Sequence, residues 1–191
     1  MIKIGKNLSE WSSYSCQPTT KGELRDIIED RISKEGPNCD LNDIDVSQIT
    51  DMSRLFNGSL FNGDISEWNV SNVEKMNSMF SCSKFNGDIS KWDVSKVTNM
   101  EYMFYKSQFN GEILDWNVIN VNDMWGMFGY SIFNRDISKW DVSNVTDMYG
   151  MFAKSKFNQN ISNWNINKNC YLTGMFAGCS IKEEFKPKLP R

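Results

Sequence analysis

The chain reads as an α/β repeat protein. The expected form is a right-handed solenoid of 24-residue coils, each with one short parallel strand and one short helical or 3-10 segment, closed at its N-terminal end by a helix. Three observations predict it. Phe61, Phe85, Phe109, Phe133 and Phe157 recur every 24 residues without a slip. Trp68, Trp92, Trp116, Trp140 and Trp164 keep the same interval. So do the pairs Met79-Phe80, Met103-Phe104, Met127-Phe128, Met151-Phe152 and Met175-Phe176. A fixed period of this size marks coils that bury their apolar side chains only against neighbouring coils.

Residues 1–40 stand outside the period and read as an N-terminal capping region. Thr20 and Glu23 have the spacing of a capping box, in which Thr20 is the N-cap and Glu23 reaches back to it. Leu24, Ile27, Ile28 and Ile32 follow at helical intervals, and Gly36-Pro37 stops the run, so a helix is predicted over 20–35. One apolar stripe suits a lid on the first coil, because the terminal units of a repeat stack need a cap. About six coils then occupy 41–180. The first is degenerate but in phase, with Leu41, Ile44, Val46, Ile49, Met52, Leu55 and Phe56 in apolar columns. A partial coil and tail fill 181–191, with Ile181 in the Phe column and Phe185 in the Ile column. Pro187, Pro190, Lys182, Lys186 and Lys188 are expected to stop strand pairing there.

Each coil follows the pattern F-N-G-D-I-S-x-W-D-V-S-N-V-T-D-M-x-x-M-F-x-x-S-x. Asp88 to Trp92 predicts the strand, with Ile89 inward and Asp88 and Ser90 outward by alternation. Val97, Met100, Met103 and Phe104 predict the helical segment, with Ser95 as its N-cap. One strand and one helical segment per coil is the leucine-rich-repeat plan. Asn62, Asn86, Asn110, Asn134 and Asn158 form a column at a turn, where stacked amides can bond backbone groups that the turn leaves unpaired. Ser59, Ser83, Ser107, Ser131 and Ser155 form another, which Cys179 continues as a small inward residue.

Composition narrows the chemistry. The 191 residues carry a formal net charge of −3, and the body 41–180 has 11 basic against 15 acidic side chains. A nucleic-acid groove needs clustered Lys and Arg, so no nucleic-acid partner is expected. Histidine is absent, which removes the Ser-His-Asp and Cys-His arrangements and the paired-His metal motifs. Cys16, Cys39, Cys82, Cys170 and Cys179 form no C-x-x-C pair and read as buried or idle thiols. No run approaches the length needed to cross a bilayer, and the start MIKIGKNLSEWSSYS lacks an apolar stretch of signal-peptide length. As written, the chain therefore reads as cytoplasmic. No enzyme constellation, cofactor or metal site is expected.

Units such as FNGDISKWDVSKVTNMEYMF and FNRDISKWDVSNVTDMYGMF resemble the lipoprotein-associated repeat of BspA-like leucine-rich-repeat surface proteins. The resemblance runs from about Leu41 to Ile181, and the T-K-G-E-L helix is similar to the segment that precedes such repeats. It implies a non-catalytic protein-binding module, commonly bacterial and tied to the cell surface or secreted, with adhesion to host or matrix proteins as one role. An intracellular inhibitor or immunity-type protein that masks a basic partner is the alternative.

Function is expected where the repeat varies. The two positions between the paired Met columns should face out, which places Tyr102, Trp125 and Tyr149 on one face of consecutive coils. Tyr105 and Tyr130 lie in the loops that follow. These aromatics either anchor a protein partner or pack on one another as a cover for the core. The second candidate is the outward column Asp64, Asp88, Glu112, Asp136 and Asn160. Carboxylates in such a column should repel, and raised pKa values or a cation would relieve them. Glu67, Lys91, Asp115, Lys139 and Asn163 lie nearby with mixed sign and should partly neutralise the column. A solvated face with the aspartates bonding neighbouring serines is the first reading and a basic partner the second, since a flat ladder converges too few oxygens for calcium. Weak self-association at the C-terminal edge is the other partner expectation.

Overall fold

A computed structural model of the protein describes residues 14–189. The opening residues and Pro190, on which parts of the capping-region and tail expectations rest, lie outside the described residues. The helix α1 spans Lys21–Glu35, and both halves of the Thr20–Glu23 capping box form. Its end is set by Gly36 at φ 90°, which returns its N–H to the Ile32 carbonyl. Leu24 and Ile28 are buried against the first coil, and Ile27 and Ile32 pack at the margin. Lys21 ties α1 to Asp51 and Ser53 at 2.9 and 2.7 Å, and Arg31 ties it to Asp43.

Beyond α1 the coils stack in register. Rings of the Phe61 column lie parallel on the next coil's rings, with centroids 6.1–6.2 Å apart. The Phe80 column stacks at 5.7 Å and also meets the Phe85 column within 4.4 Å. Met76, Met79, Met100, Met103 and their successors through Met151 are fully buried among them. Each tryptophan does more than fill space. The indole N–H of Trp92 donates to the Ile65 carbonyl of the preceding coil at 3.1 Å, and Trp68, Trp116, Trp140 and Trp164 do the same one coil apart.

The polar columns behave as the period requires. Asn62 Oδ1 accepts the Asn86 N–H, Asn86 accepts from Asn110, and the ladder continues to the Lys182 N–H. Ser83, Ser107, Ser131 and Ser155 are buried, and the Cys179 sulfur lies 3.5 Å from Ser155 Oγ in the same column. The last coil is the loosest. Asn169 stands in the column of Val145 and is exposed, while Leu172 and Phe176 are only partly covered.

The expected strand and helical segment do not form. Among the described residues there is no extended strand, and α1 with a short 3-10 turn at Glu183–Phe185 are the regular elements. Asp88 to Trp92 is a turn instead. Asp88 Oδ1 accepts the Ser90 N–H, and the Trp92 N–H returns to the Ile89 carbonyl. Ser95 caps no helix, because its own N–H donates to Asp93 Oδ1. A carboxylate two residues upstream offers the backbone an alternative to a sheet ladder, and these residues take it. Isolated parallel bridges follow Asp51, Lys75, Asn99, Asp123, Asp147 and Tyr171, and two more, Cys16 with Ile44 and Asp40 with Asp64, sit at the N-terminal end.

The Met-x-x-Met stretch is also a chain of turns. Met103 N–H bonds the Met100 carbonyl, and Tyr102 sits at φ 53° between them. A positive φ at the third residue of a four-residue turn is the type II signature, for which glycine is favoured. Gly126, Gly150 and Gly174 occupy the same column with φ of 58–67°. A second left-handed column holds Cys82, Lys106, Tyr130 and Lys154. Between the turns, alternate N–H groups reach across. Met100, Tyr102, Phe104 and Lys106 donate to the carbonyls of Asp123, Trp125, Met127 and Gly129 in the next coil.

Two outcomes test this account. Trp116→Phe removes the donor to Ile89 together with part of a buried ring system, and should cost about 2–4 kcal/mol in chemical denaturation. Asp88→Ala should lower stability at pH 7, while Asp88→Asn, which still accepts from Ser90, should lower it less. The Ser90 bonds hold the Asp88 carboxyl below its usual value of 3.8. That contribution is therefore present above pH 4 and is lost as pH falls through the lowered folded value. The difference between wild type and Asp88→Ala should shrink in an acid series over that window.

Candidate functional site

The turns between the Met columns position an aromatic face. Both Met side chains of each pair point inward, so the residues between them emerge. Trp125 and Tyr149 are 37% and 39% exposed, and Tyr130 is 46% exposed. Tyr102 and Tyr105 are half-buried. The rings touch in a continuous series, with centroids 5.5 Å apart for Tyr102 and Trp125 and 5.6 Å for Trp125 and Tyr149. Tyr105 joins it, 5.1 Å from Tyr102 and 5.5 Å from Tyr130. The structure thus brings all five sequence-predicted aromatics together, around a groove of about 220 Å³.

Glycines make the floor. A Cβ on Gly126 would stand 2.3 Å from Cε1 of Tyr102, and one on Gly129 would stand 3.1 Å from Cδ2 of Tyr105. The two expected alternatives therefore divide by residue. Tyr102 and Tyr105 lie down on the next coil and cover it, whereas Trp125, Tyr130 and Tyr149 stand open. Sequence reasoning missed Tyr171, which is 53% exposed and stacks on Tyr149 at 5.7 Å and 11°. Its position in the column of Asp123 and Asp147 was the available sign.

Charged groups adjoin the aromatics. Lys106 and Lys154 place their ammonium groups 5.5 and 5.3 Å from the Tyr130 ring centroid, within cation–π range. Glu101, Asp123 and Asp147 stand one or two residues before Tyr102, Trp125 and Tyr149. Burial, reinforced by Asp147, holds the Asp123 carboxyl above the usual carboxylate range, although it accepts the Trp125 N–H. Burial and Asp123 raise Glu101 in the same way. Burial and then Glu101 raise the Tyr102 hydroxyl. The two carboxylates are a cost of the arrangement at neutral pH, because their ionised forms are the disfavoured ones, whereas the Tyr102 hydroxyl is neutral there.

The Asp64, Asp88, Glu112, Asp136 and Asn160 column is exposed as expected, and its aspartates bond neighbouring serines as the solvated-face reading has it. The rise in pKa that repulsion would give is not found at Asp64 and Asp88. The Ser66 and Ser90 backbone N–H groups lower Asp64 and Asp88 instead of repulsion raising them. Asp136 and Asn160 accept from Ser138 and Ser162 in the same manner. Arg135 pairs with Glu112 at 3.2 Å, and Lys139 pairs with Asp115 at 2.7 Å. Two shallow clefts, about 310 and 380 Å³, open along this column beside Asn160 and Asp88. Among the described residues no group of three or more Asp, Glu or Cys side chains is placed to hold a metal ion. No helix among them is long and apolar enough to cross a membrane. All five thiols are free, and burial and Asp147 push Cys170 up to about 11.

Asp123→Asn should raise the melting temperature at pH 7. Asparagine stands naturally in this column at Asn99, where its Oδ1 accepts the Glu101 N–H. A carboxyl raised in the folded state destabilises above its folded pKa and ceases to do so as protonation completes. The gain should therefore fade as pH drops toward 4. Gly150→Ala should cost about 1–2 kcal/mol through its left-handed φ alone. Gly126→Ala should cost more, since it also lifts the Tyr102 ring, and near-ultraviolet circular dichroism would report that movement.

One family model matches the chain over residues 31–131 and again over 107–187, and its description is Mycoplasma protein of unknown function, DUF285. No curated protein and no solved structure matches. The two matched segments cover most of the chain and share the 24-residue units described above, and the chain belongs to the DUF285 family.

Proposed function

We propose that this chain is a non-catalytic protein-binding module of the BspA-like leucine-rich-repeat type, and that the aromatic groove is its docking face. The observation that carries this reading is the exposure of Trp125, Tyr130 and Tyr149 on two consecutive coils around one groove. Large aromatics bury much area at low conformational cost, and they dominate binding hot spots. The glycine floor keeps the groove open, and the turn backbone beneath it is held on both sides by neighbouring coils. A pre-formed surface of this kind loses little entropy on binding.

The acidic column supports a second reading, a basic partner surface. The Asp64 and Asp88 carboxylates are held in the ionised form by backbone N–H groups one coil apart, which suits charge recognition. A cell-surface adhesin and an intracellular inhibitor are the two roles through which either face would act.

Affinity capture from the source cells, followed by mass spectrometry, would supply the partner. Binding would then be measured for Trp125→Ala and Tyr149→Ala beside Asp88→Lys and Asp136→Lys. The aromatic reading expects a loss of roughly 30-fold or more from each of the first two, as hot-spot residues give. The charge-reversed pair should bind within about 3-fold of wild type. The opposite pattern would move the site to the acidic column, and no effect from either pair would remove both faces from consideration.

A further inference from the structure

The last coil ends in an unused hydrogen-bonding row. In every coil below it, four alternate N–H groups donate to the coil above, as Met148, Gly150, Phe152 and Lys154 do to Tyr171, Thr173, Met175 and Ala177. The corresponding groups of the last coil are the N–H groups of Leu172, Gly174, Phe176 and Gly178. None of the four donates to any acceptor among the described residues. The Cys170 carbonyl, which the pattern would pair with the next coil, accepts nothing there either. Gly174 and Gly178 are exposed, whereas Gly126 and Gly150 in the interior coils are buried. Phe152 stacks on Phe176 from below at 5.7 Å, and Phe176 is only partly covered, with the Lys186 ammonium 5.8 Å from its ring centroid. The tail turns elsewhere, since Phe185 gives its carbonyl to the Ile161 N–H.

We propose that this row is a docking edge for one extended peptide segment of another protein chain, shaped like a coil of this same repeat. The segment would supply alternate backbone carbonyls to Leu172, Gly174, Phe176 and Gly178, and an aromatic ring to lie on Phe176. The hydrogen-bond polarity selects the occupant. Two copies meeting tail to tail would oppose donors to donors, so that arrangement is unfavourable. A head-to-tail copy would need the first-coil carbonyls of Asp51, Ser53, Leu55 and Asn57, which accept no bond from the described residues. However, α1 packs on that end and holds Asp51 and Ser53 through Lys21. A separate segment meets no such cover. Edge addition of this kind draws affinity from backbone bonds and specificity from the side chains that stack.

Amide hydrogen exchange on the whole chain tests it, with a synthetic peptide of residues 145–156, VTDMYGMFAKSK, as the probe. In the interior this segment supplies the carbonyls that occupy the equivalent row. At micromolar protein the Leu172, Gly174, Phe176 and Gly178 amides should exchange freely, while those of Gly126 and Gly150 are protected. Adding the peptide should slow the four by at least about 10-fold, one order in the binding equilibrium. A peptide with Asp in place of its Phe should not. Phe176→Asp in the protein should abolish the effect, with protected Gly126 and Gly150 amides certifying the fold. The proposal fails if the four amides are already protected in dilute protein, which would mean that the chain covers its own edge. It fails if they become protected only as protein concentration and particle mass rise together, which would assign the edge to a second copy. It also fails if millimolar peptide leaves them unprotected.

Discussion

The 24-residue register of bonds between successive coils is the constraint on which the rest of this structure depends. In every coil but the last, alternate N–H groups of the Met-x-x-Met stretch donate to the coil above, others close turns within the coil, and some, such as those of Thr98 and Gln108, reach the coil below. No set is complete without the others. A slip of one residue would take the Phe, Trp and Met columns out of the core and would break the Asn ladder at the same stroke. Identical side chains stack because the backbone fixes their heights, and the backbone can be so irregular because the stacked rings exclude water from it.

That same register creates the candidate binding face. The left-handed residue of each Met-x-x-Met turn lies at one height on every coil. Where it is glycine, as at Gly126, a ring from the coil below can spread over the backbone. Where it is Tyr102, the side chain lies on the glycine above. A difference of one side chain between otherwise equal coils thus becomes a groove with aromatic walls. The lysines over Tyr130 arise in the same way, from Lys106 and Lys154 in the column that holds Tyr130. The repeat supplies the frame, and departures from the repeat supply what is specific to this protein.

Much of the fold is legible in the residues. The period, the inward columns, the capping box at Thr20 and the looseness of the last coil follow from spacing and apolar pattern alone. The secondary structure within a coil is not legible from alternation, because Asp-Ile-Ser satisfies two rules at once. It alternates as a strand does, and its carboxylate also reaches the N–H two residues on. Turn chemistry prevails there, and it recurs at Asp93 and Asn99 within one coil. The Met-x-x-Met spacing misleads in the same fashion. Intervals of three suit a helix, yet the glycine in that column on three coils marks a backbone conformation that no helix contains.

By itself the sequence determined which side chains share a column and which of them are apolar, because a period is a property of the chain and burial follows from it. It also determined the candidate aromatics, since they stand where the repeat varies. Only the tertiary structure decided which of those aromatics remain open, which carboxylates are raised and which lowered, and which backbone donors are left over at the end. Those outcomes depend on distances between residues 24 apart and on the coil that does or does not lie above them.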